Sequence, residues 1–497
     1  MLRRLIQKRL GNYKVALNTP DATKPLKLTT KRTVAVIGGG IAGISAACNL
    51  AERGFEVALF EREPYLGGKI GCWQFESGGE KLRTEHGYHG FFRQYYNLRN
   101  FMRKIGAYRH LIPIDDYTIM FNKTETSGFK GLDKTPLLNV WGLRKYGVIN
   151  WKTLISPFSM PFIQLLRFSF KHTYKNFDGE SFASFASRTN MPGKMRLMFN
   201  SFARAFFAEP EDMSMAELIK GFHFYFLSNE EGLIHDVLDD NFYDSFIHYC
   251  EQFLLKSGAT FLPGTPVTSL EKSETGFNVN GRNFNYCVLS TDVKAAKSII
   301  KNAVGFETDK QLLEQIRTMK ESGGYAVLRI WTNRFEQERG LPFFVFTDRL
   351  KCLDSITFYH KMEKESKAWS EKNQGGIFEL HCYAVPQGIA GEQLQNYLLE
   401  ELIHYLPELE NMEIKHRYFQ HKNDFPAFHT NQYNTRPGIK TGTPGFYFAG
   451  DWVKMDNCTM LMEAAYTSGA MAANYIMAGE GLQENLLESV PLKGLLA

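Results

Sequence analysis

The stretch that decides the fold runs from Thr33 to Glu61 and reads TVAVIGGGIAGISAACNLAERGFEVALFE. A short apolar run predicts a buried strand over 33–37, and a run of small residues predicts a helix over 44–53. A second apolar run predicts another strand over 56–60. Strand, helix and strand joined by short turns indicate a βαβ unit with a parallel sheet.

The turn between the first strand and the helix contains three glycines: Gly38, Gly40 and Gly43. The first permits a tight turn, the second lets a pyrophosphate approach the backbone, and the third lets the helix pack closely on the strand. The N-terminus of the helix that follows supplies backbone N–H groups to the phosphates. Glu61 stands at the end of the second strand, where it can accept a hydrogen bond from a ribose hydroxyl. The stretch therefore predicts a dinucleotide site.

The composition is that of a globular protein with more than one domain. A chain of 497 residues exceeds what one hydrophobic core usually serves, and 44% hydrophobic with 22% charged residues excludes a disordered chain. We find neither an apolar run of about 18 residues nor a signal-peptide core, so a cytoplasmic protein is expected. Seven cysteines without a C-x-x-C spacing predict reduced thiols. The 40 Phe and 23 Tyr predict a large core or a large apolar ligand.

The positive charge is concentrated at the N-terminus. Residues 1–33 contain nine Lys or Arg against the single acid Asp21, a balance of +8, and the remaining residues sum to −3. Apolar residues recur there at helical spacing: Leu2, Leu5, Ile6 and Leu10. This pattern is typical of a short helix on an anionic membrane surface, although a solvated tail explains the charge equally well. No second basic cluster indicates nucleic-acid binding.

A second unusual stretch covers residues 134–177, which contain seven Lys or Arg, no Asp or Glu, and nine aromatic residues. Aromatic and basic side chains together suit an anionic membrane interface, where the rings lie at headgroup level. An aromatic core with basic outer faces is the alternative. Peripheral contact with the cytoplasmic face of a membrane is the hypothesis that both basic stretches favour.

Two further segments indicate which dinucleotide is bound. Glu61 is followed at once by REPYLGGK (residues 62–69), and a predicted strand far along the chain ends in Gly450-Asp451 before a helix near Met462. This combination resembles the two-part FAD site of the amine oxidase and phytoene desaturase superfamily. The resemblance implies that Asp451 holds the ribityl or pyrophosphate region, that the backbone of Val267 contacts adenine, and that the helix from Met462 directs its N-terminus at the flavin. The residues implied for FAD are Gly38, Gly40, Ile41, Ala42, Gly43, Glu61, Arg62, Gly67, Gly68, Lys69, Val267, Gly450, Asp451 and Met462.

The same resemblance implies an α/β fold, with a Rossmann-like FAD-binding domain of the glutathione-reductase type and an α+β substrate domain. It implies a discontinuous FAD-binding domain at 31–100, 240–300 and 430–482 and a substrate domain at 101–239 and 301–429. Outside these, the sequence leaves 1–30 as a basic N-terminal segment and 483–497 as a C-terminal tail. Within the substrate domain, apolar spacing predicts helices over 311–320 and 392–406 and strands over 324–332 and 376–383.

A narrower resemblance comes from the segment EHGYHGFFRQYYNL (residues 85–98). It is similar to a segment of carotenoid ring desaturases of the isorenieratene synthase type, which convert a β-ionone ring into an aromatic ring. Further similar segments lie at 202–207, 222–227, 232–239, 379–383 and 436–437. The resemblance thus covers about 33–480 and implies an FAD-dependent oxidoreductase that desaturates a carotenoid or similar polyene or isoprenoid, with an unknown electron acceptor.

Ring desaturation with a methyl shift needs hydride removal, a carbocation that migrates, and a proton acceptor. The acid/base candidates in the similar segments are Glu85, His86, Glu379 and His381, which are equally consistent with hydrogen-bonded structural residues. The candidates for an apolar tunnel are Phe222, Phe224, Tyr225 and Phe226, whose faces can stabilise a cation but which core packing also explains. His86 and His89 lack an evident third ligand, so no metal is expected.

Two other functions fit the same fold. A flavin amine oxidase would take a neutral amine in an aromatic cage, but the acid-free stretch 134–177 offers a cationic substrate little help. A non-enzymatic prenyl-lipid carrier would have no use for the complete dinucleotide motif that ends in Glu61 and Gly450-Asp451.

Overall fold

The computed structural model describes residue 6 and residues 14–114, 116–120, 126–150, 155, 157–232, 234–337 and 340–497. Most of the predicted N-terminal helix, with Leu2, Leu5 and Leu10, lies outside the described residues, and Ile6 is buried. Within these ranges no helix is both long enough and apolar enough to cross a membrane. All seven cysteines are buried free thiols, as predicted.

The strands are β1 (Val15–Ala16), β2 (Thr33–Ile37), β3 (Glu56–Phe60), β4 (Cys72–Ser77), β5 (Glu80–Glu85), β6 (Phe91–Phe92), β7 (Leu111–Ile114), β8 (Thr118–Met120), β9 (Thr126–Gly128), β10 (His235–Leu238), β11 (Thr260–Leu262), β12 (Leu270–Ser273), β13 (Gly276–Val279), β14 (Arg282–Phe284), β15 (Tyr286–Leu289), β16 (Tyr325–Thr332), β17 (Phe344–Thr347), β18 (Ser355–Phe358), β19 (Ile377–Cys382), β20 (Ile414–Lys422), β21 (Phe446–Phe448) and β22 (Glu488–Ser489).

The α-helices are α1 (Ile41–Glu52), α2 (Tyr96–Ile105), α3 (Leu138–Gly142), α4 (Ser159–Leu166), α5 (Phe170–Phe177), α6 (Phe182–Arg188), α7 (Gly193–Arg204), α8 (Met215–Phe222), α9 (His248–Lys256), α10 (Val293–Lys301), α11 (Lys310–Thr318), α12 (Tyr359–Met362), α13 (Lys364–Asn373), α14 (Gly391–Tyr405) and α15 (Leu461–Gly479). A π-helical turn, His223–Leu227, continues α8, and another, Tyr243–Ile247, precedes α9.

The βαβ unit predicted from 33–61 forms the centre of a five-stranded parallel sheet in the order β11-β3-β2-β15-β21. The predicted strands 33–37 and 56–60 are confirmed, and nearly all of their residues are buried. Helix α1 begins at Ile41, three residues before the predicted start, because the N–H of Ile44 already donates to the carbonyl of Gly40 at 2.9 Å. Helix α1 packs on β2, β3 and α15. The strands of this sheet come from three separate parts of the chain, within the predicted discontinuous domain, whose boundaries stay a prediction.

The second large sheet has seven strands in the order β20-β16-β19-β18-β17-β8-β9. Its pairs are antiparallel except for β17 with β8. Strands β16 and β19 confirm the predicted strands over 324–332 and 376–383 to within one residue at each end. Helices α11 and α14 occupy the predicted helical stretches.

The segment 72–92 connects the two large sheets. The hairpin β4-β5 packs on the seven-stranded sheet, where the Trp73 indole N–H donates to the Tyr418 hydroxyl at 3.0 Å. Strand β6 then joins a small antiparallel sheet in the order β6-β10-β7. The loop 86–90, between β5 and β6, is thereby held from both ends.

Candidate active site

One cavity of about 1020 Å³ opens at the carboxyl ends of the parallel strands and extends toward the seven-stranded sheet. Ligand pockets usually measure about 300 to 1,000 Å³, so this cavity is at the upper end of that range. Its first part, here called the nucleotide half, is formed by the turns that follow β2, β3, β15 and β21. The remainder, the aromatic half, is lined by Tyr88, Phe92, Tyr95, Tyr117, Phe129, Phe199, Phe202, Phe206, Phe207, Phe222, Tyr225, Phe226, Phe344, Phe346 and Tyr383.

The glycine turn after β2 forms one wall of the nucleotide half. Gly38 has φ +106°, and a Cβ on Gly43 would lie 1.8 Å from the Gly38 carbonyl oxygen, so helix and turn are in direct contact. A Cβ on Gly40 would meet nothing closer than the Gly68 Cα at 4.0 Å, and Gly40 lines the cavity. No side chain caps α1, and its first turn contains no acidic residue. Its N–H groups therefore face the cavity at the positive end of the helix dipole.

The carboxylate of Glu61 holds the turns on either side of it. Its Oε2 accepts the N–H of Gly39 at 2.6 Å, and its Oε1 accepts the N–H of Glu63 at 2.9 Å. Burial raises the pKa of this carboxyl group, while the two backbone N–H groups stabilise the charged form. Glu61 also lines the cavity, so it can accept a further hydrogen bond from a ligand hydroxyl.

The turn that contains Gly67 and Gly68 packs against the glycine turn that follows β2. The N–H of Gly67 donates to the carbonyl of Gly39 at 2.9 Å, which places Gly68 and Lys69 on the cavity wall. The ammonium of Lys69 lies 3.8 Å from a carboxylate oxygen of Asp451 and 4.0 Å from the centre of the Phe425 ring. A cation and an anion thus face each other across the nucleotide half.

Helix α15 also begins at the cavity. Leu461, Met462 and Ala465 line the wall, and no side chain caps the helix. The acid in its first turn, Glu463, faces away and accepts the N–H groups of Asn97 and Leu98 at 2.8 and 3.0 Å. Burial raises the pKa of Glu463 to about 8. The N-terminus of α15 is therefore free to interact with negative charge in the cavity.

The residues predicted for FAD converge on this half. Those on the wall are Gly38, Gly40, Ile41, Ala42, Glu61, Arg62, Gly67, Gly68, Lys69, Val267, Gly450, Asp451 and Met462. Gly43 lies behind the wall, where it allows the contact between α1 and the turn. Two uncapped helix N-termini and an open Gly40 fit a pyrophosphate and an electron-rich ring system, so the residues present fit the implied cofactor.

The aromatic half owes part of its wall to the end of α8. Phe222 ends α8, and Tyr225 and Phe226 lie three and four residues further on, in the π-helical turn that continues it; all three line the cavity. Phe224 points to the opposite side, is fully buried and packs against Tyr95. The prediction that Phe224 lines the pocket was therefore wrong, because its position in the helical repeat faces the core.

His86 is the one acid/base candidate among the four that the structure places on the cavity wall. The Lys422 ammonium lies 3.2 Å from its Nδ1. Burial is the main cause that lowers the pKa of His86 well below the usual range, and the positive charge of Lys422 lowers it further. His86 is therefore a neutral imidazole at neutral pH and lies beside the cations of the nucleotide half.

The other three candidates form a buried ion cluster behind the wall. The Arg329 guanidinium lies 2.7 Å from a Glu379 oxygen and 3.5 Å from a Glu85 oxygen, and the His381 Nε2 lies 2.9 Å from Glu379. Burial alone would raise the pKa of Glu379, but Arg329 holds it down at about 2. None of the three lines the cavity, which corrects the prediction of direct catalytic contact.

This ion cluster supports the loop 86–90 instead. The N–H of Tyr88 donates to Glu379 Oε1 at 3.1 Å, and a Cβ on Gly87 would lie 2.7 Å from the His381 ring. Glu379 and His381 share one face of β19 because they are two residues apart. Their part is to position the loop that crosses from the nucleotide half to the aromatic half.

Several wall residues were not predicted from the sequence. They include the cations Lys294 and Lys422, the rings Phe92, Phe199, Phe202, Phe206, Phe207, Phe344 and Phe346, and the pair Tyr88 and His235. The high Phe content indicated such a surface without locating it. No group of three His, Cys, Asp or Glu side chains in the described part of the chain is arranged to hold a metal ion.

Comparison with known proteins places the chain among flavoproteins. The family model for flavin-containing amine oxidoreductases matches residues 41–477. The chain is 31% identical to a carotenoid phi-ring synthase of Streptomyces griseus, over 93% of this chain and 90% of the relative. It is 26% identical to a carotenoid phi-ring synthase of Chlorobaculum tepidum, over 95% and 92% of the two chains. The structure of putrescine oxidase bound to putrescine superposes with a TM-score of 0.66 at 14% identity, covering 90% of this chain and 99% of that one.

Proposed function

The chain belongs to the flavin-containing amine oxidoreductase family, and on that premise we propose that it converts the end ring of a carotenoid into an aromatic ring. It is an FAD-dependent oxidoreductase, so the predicted superfamily, fold class, enzyme class and cofactor are confirmed. The names of the two relatives that match nearly the whole chain support a cyclic carotenoid as substrate.

The observation that carries the proposal is the joining of the two halves in one cavity. The acids on the cavity wall are Glu61, Glu63, Asp292, Asp424 and Asp451. Four of them follow strands of the parallel sheet and belong to the nucleotide half, and the fifth, Asp424, precedes Phe425, whose ring stacks on Phe207 of the aromatic half with 3.5 Å between ring centres. A cationic amine would meet mainly aromatic rings in that half, whereas a polyene ring would exchange water for apolar contact.

The chain's own residues suit the chemistry of ring desaturation. Bound FAD supplies the two-electron oxidant. The rings of Phe92, Tyr225 and Phe344 stabilise positive charge on a substrate carbon through their π faces. The aromatic half also excludes water, which would otherwise trap a carbocation. Tyr88 and its loop hold the boundary between the substrate and the nucleotide half.

Pigment analysis in two bacterial hosts tests this function, with one host making β-carotene and the other only acyclic lycopene. We expect an aromatic carotenoid in the first host, lighter by four hydrogen atoms for each converted ring, and unchanged pigment in the second. New double bonds in the lycopene chain without an aromatic product would instead indicate desaturation of acyclic polyenes. Unchanged pigment in both hosts from flavin-loaded protein would contradict the proposal.

We also propose that the enzyme meets its substrate on an anionic bilayer. The aromatic rings of 134–177 largely belong to the core, but Ile155, Met160 and Ile163 are 83%, 65% and 38% exposed. Three basic residues that follow, Arg167, Lys171 and Lys175, are exposed as well. Helix α4, which carries Met160 and Ile163, packs against α8, and α8 ends at the aromatic half. Each such cation near an anionic surface contributes on the order of 1 kcal/mol.

Sedimentation with anionic vesicles tests the membrane proposal. The double variant Met160→Glu/Ile163→Glu is expected to stay in the supernatant, whereas Leu255→Glu, at an equally exposed site of α9, is expected to sediment like the parent. A deletion of residues 1–12 should weaken binding and leave FAD in place. It stops short of Val15, because Val15 pairs with Ser489 in the β1-β22 ribbon. Equal sedimentation of both glutamate variants would contradict the choice of this surface.

A further inference from the structure

We propose that His235, held by Tyr88, is the proton acceptor for the substrate ring. The inference rests on the proposed function, since it assigns a catalytic residue to that reaction. It starts from a hydrogen bond between the Tyr88 hydroxyl and His235 Nε2, both of which belong to residues on the cavity wall. The segments that contain them were noted in the sequence, but neither residue was given a role.

His235 is fixed by regular structure on both sides. It is the first residue of β10 and pairs with Phe92 of β6 and Ile114 of β7. The next residue, Asp236, faces the other side of the sheet and accepts from Arg99 at 2.5 Å and from Arg93 at 2.9 Å. Because successive side chains of a strand alternate, this ion pair on one face orients His235 toward the other.

The surroundings of His235 are aromatic. Its ring centre lies 5.1 Å from that of Phe92 and 5.5 Å from that of Tyr117, and both of these rings line the cavity. Tyr88 in turn stacks on Phe344 with 4.4 Å between ring centres. The imidazole and phenol therefore sit among the rings that we assign to the substrate, in surroundings that favour a neutral group.

The second nitrogen of the imidazole, Nδ1, is buried within the cavity wall and has no hydrogen-bond partner among the described residues. Burial, assisted by the Arg93 charge, lowers the pKa of His235 to about 4, so the imidazole is neutral at pH 7. When Tyr88 receives the Nε2 proton, Nδ1 carries a free lone pair. A neutral imidazole is sufficient here, because a proton next to a carbocation is strongly acidic.

The other wall histidines near this loop are less suited to the task. His86 lies beside the Lys422 ammonium, which opposes the gain of a proton. The ring of His89, whose Nδ1 lies 2.7 Å from the Gly87 carbonyl, packs edge-on against Phe242, which does not line the cavity. His235 thus combines an unpartnered nitrogen with a position in the aromatic half.

With FAD bound as the two-electron oxidant, a hydride would leave a ring carbon with both electrons of its C–H bond, and a ring cation would remain. The methyl group migrates with its bonding pair to the adjacent carbon, and the cation moves to the carbon that it left. A neighbouring C–H bond then breaks, its electron pair forms the new ring double bond, and its proton passes to His235. This round removes two of the four hydrogen atoms; the other two leave as a second hydride and a second proton, after an electron acceptor has reoxidised the cofactor. A proton acceptor of this kind usually contributes about a hundred- to ten-thousandfold in rate.

Variants separate this role from a structural one. His235→Gln keeps a hydrogen-bonding group beside Tyr88 but cannot act as a base, and we expect turnover to fall about a hundredfold or more at unchanged FAD content. His223→Gln is the matched control. His223 is likewise buried, with its pKa lowered to about 4 by burial, and bonds the Pro491 carbonyl at 3.1 Å, but it does not line the cavity. Turnover per bound flavin should stay at the parent level in this control.

Chemical rescue provides a readout that a purely structural role would not change. Imidazoles added to His235→Ala should restore turnover, and more basic imidazoles should restore more. A His235→Gln enzyme within about fivefold of the parent, or rescue independent of imidazole basicity, would overturn the assignment.

A measurement on the flavin-free protein is independent of turnover. With ¹⁵N-labelled histidine, the His235 signals, identified by their absence in His235→Gln, should report a neutral ring between about pH 5.5 and 8 and should shift in Tyr88→Phe. A protonated ring at neutral pH would contradict the inference. If the parent made no aromatic pigment while these signals behaved as expected, the proposed function would fail and the Tyr88–His235 contact would stand.

Discussion

Gly43→Ala should lower the stability of the folded protein, whereas Gly40→Ala should weaken cofactor binding. A Cβ on Gly43 would lie 1.8 Å from the Gly38 carbonyl oxygen and 2.7 Å from the Ser290 hydroxyl, whereas Cβ atoms practically never approach within 3.0 Å. Helix α1 would have to retreat by more than an ångström from the turn. Overpacking of this kind costs about 1 to 3 kcal/mol, so Gly43→Ala should unfold at a lower urea concentration than the parent.

Gly40→Ala should leave the stability of the flavin-free protein unchanged and weaken its binding of FAD. Its φ of −74° suits any residue, and the nearest atom to a new Cβ is 4.0 Å away, so the flavin-free protein should unfold like the parent. The methyl group would instead enter the cavity where a pyrophosphate approaches the helix N-terminus. A loss of about 1.4 to 2.8 kcal/mol in binding is a ten- to hundredfold weaker affinity for FAD.

The assay strips the flavin, follows urea unfolding of each flavin-free variant, and then titrates FAD by the quenching of its fluorescence. The parent provides both reference values. FAD binding by Gly40→Ala as tight as that of the parent, or an unchanged urea midpoint for Gly43→Ala, would contradict these roles of the two glycines.

Glu61→Ala should weaken FAD binding about ten- to hundredfold, measured by dialysis, and should also lower stability because the N–H groups of Gly39 and Glu63 lose their acceptor; equal flavin occupancy after dilution would refute it. Glu379→Ala should destabilise the protein by about 3 to 5 kcal/mol, because buried Arg329 loses the nearer of its two carboxylate partners and keeps only Glu85 at 3.5 Å. The folded-state pKa of Glu379 is lowered to about 2, so the stability that its charge provides is present above the unfolded pKa of about 4.3 and is lost as the pH falls toward 2. The difference in melting temperature between the parent and Glu379→Gln should therefore be smaller at pH 3 than at pH 7, and an equal difference at both would contradict this. FAD should be released by acid precipitation, because Cys458, the cysteine nearest in sequence to Gly450-Asp451, is buried with its pKa raised to about 12 and does not line the cavity; colour retained in the pellet would show a covalent link.

The nucleotide half could be predicted from the sequence because its chemistry is local. The glycines from Gly38 to Gly43 specify the backbone conformation of the turn, and the helix that follows always presents its positive N-terminus to that turn. The strand before Glu61 ends at the same edge of the sheet. Each of these relations spans fewer than 30 residues. Gly450-Asp451 was located in the same way, by the strand that precedes it.

The aromatic half was decided by tertiary structure, because its wall combines short segments from distant parts of the chain. Glu379 and His381 lie in a segment that resembles carotenoid ring desaturases. The pairing of β19 with β16 nevertheless places them beside Arg329 and behind the loop 86–90. His235 meets Tyr88 across 147 residues of chain, and nothing local to either residue indicates the contact. Sequence alone determined what the protein binds at its glycine turns; which side chains face the substrate depended on strand pairing, since a strand directs only alternate residues to one face.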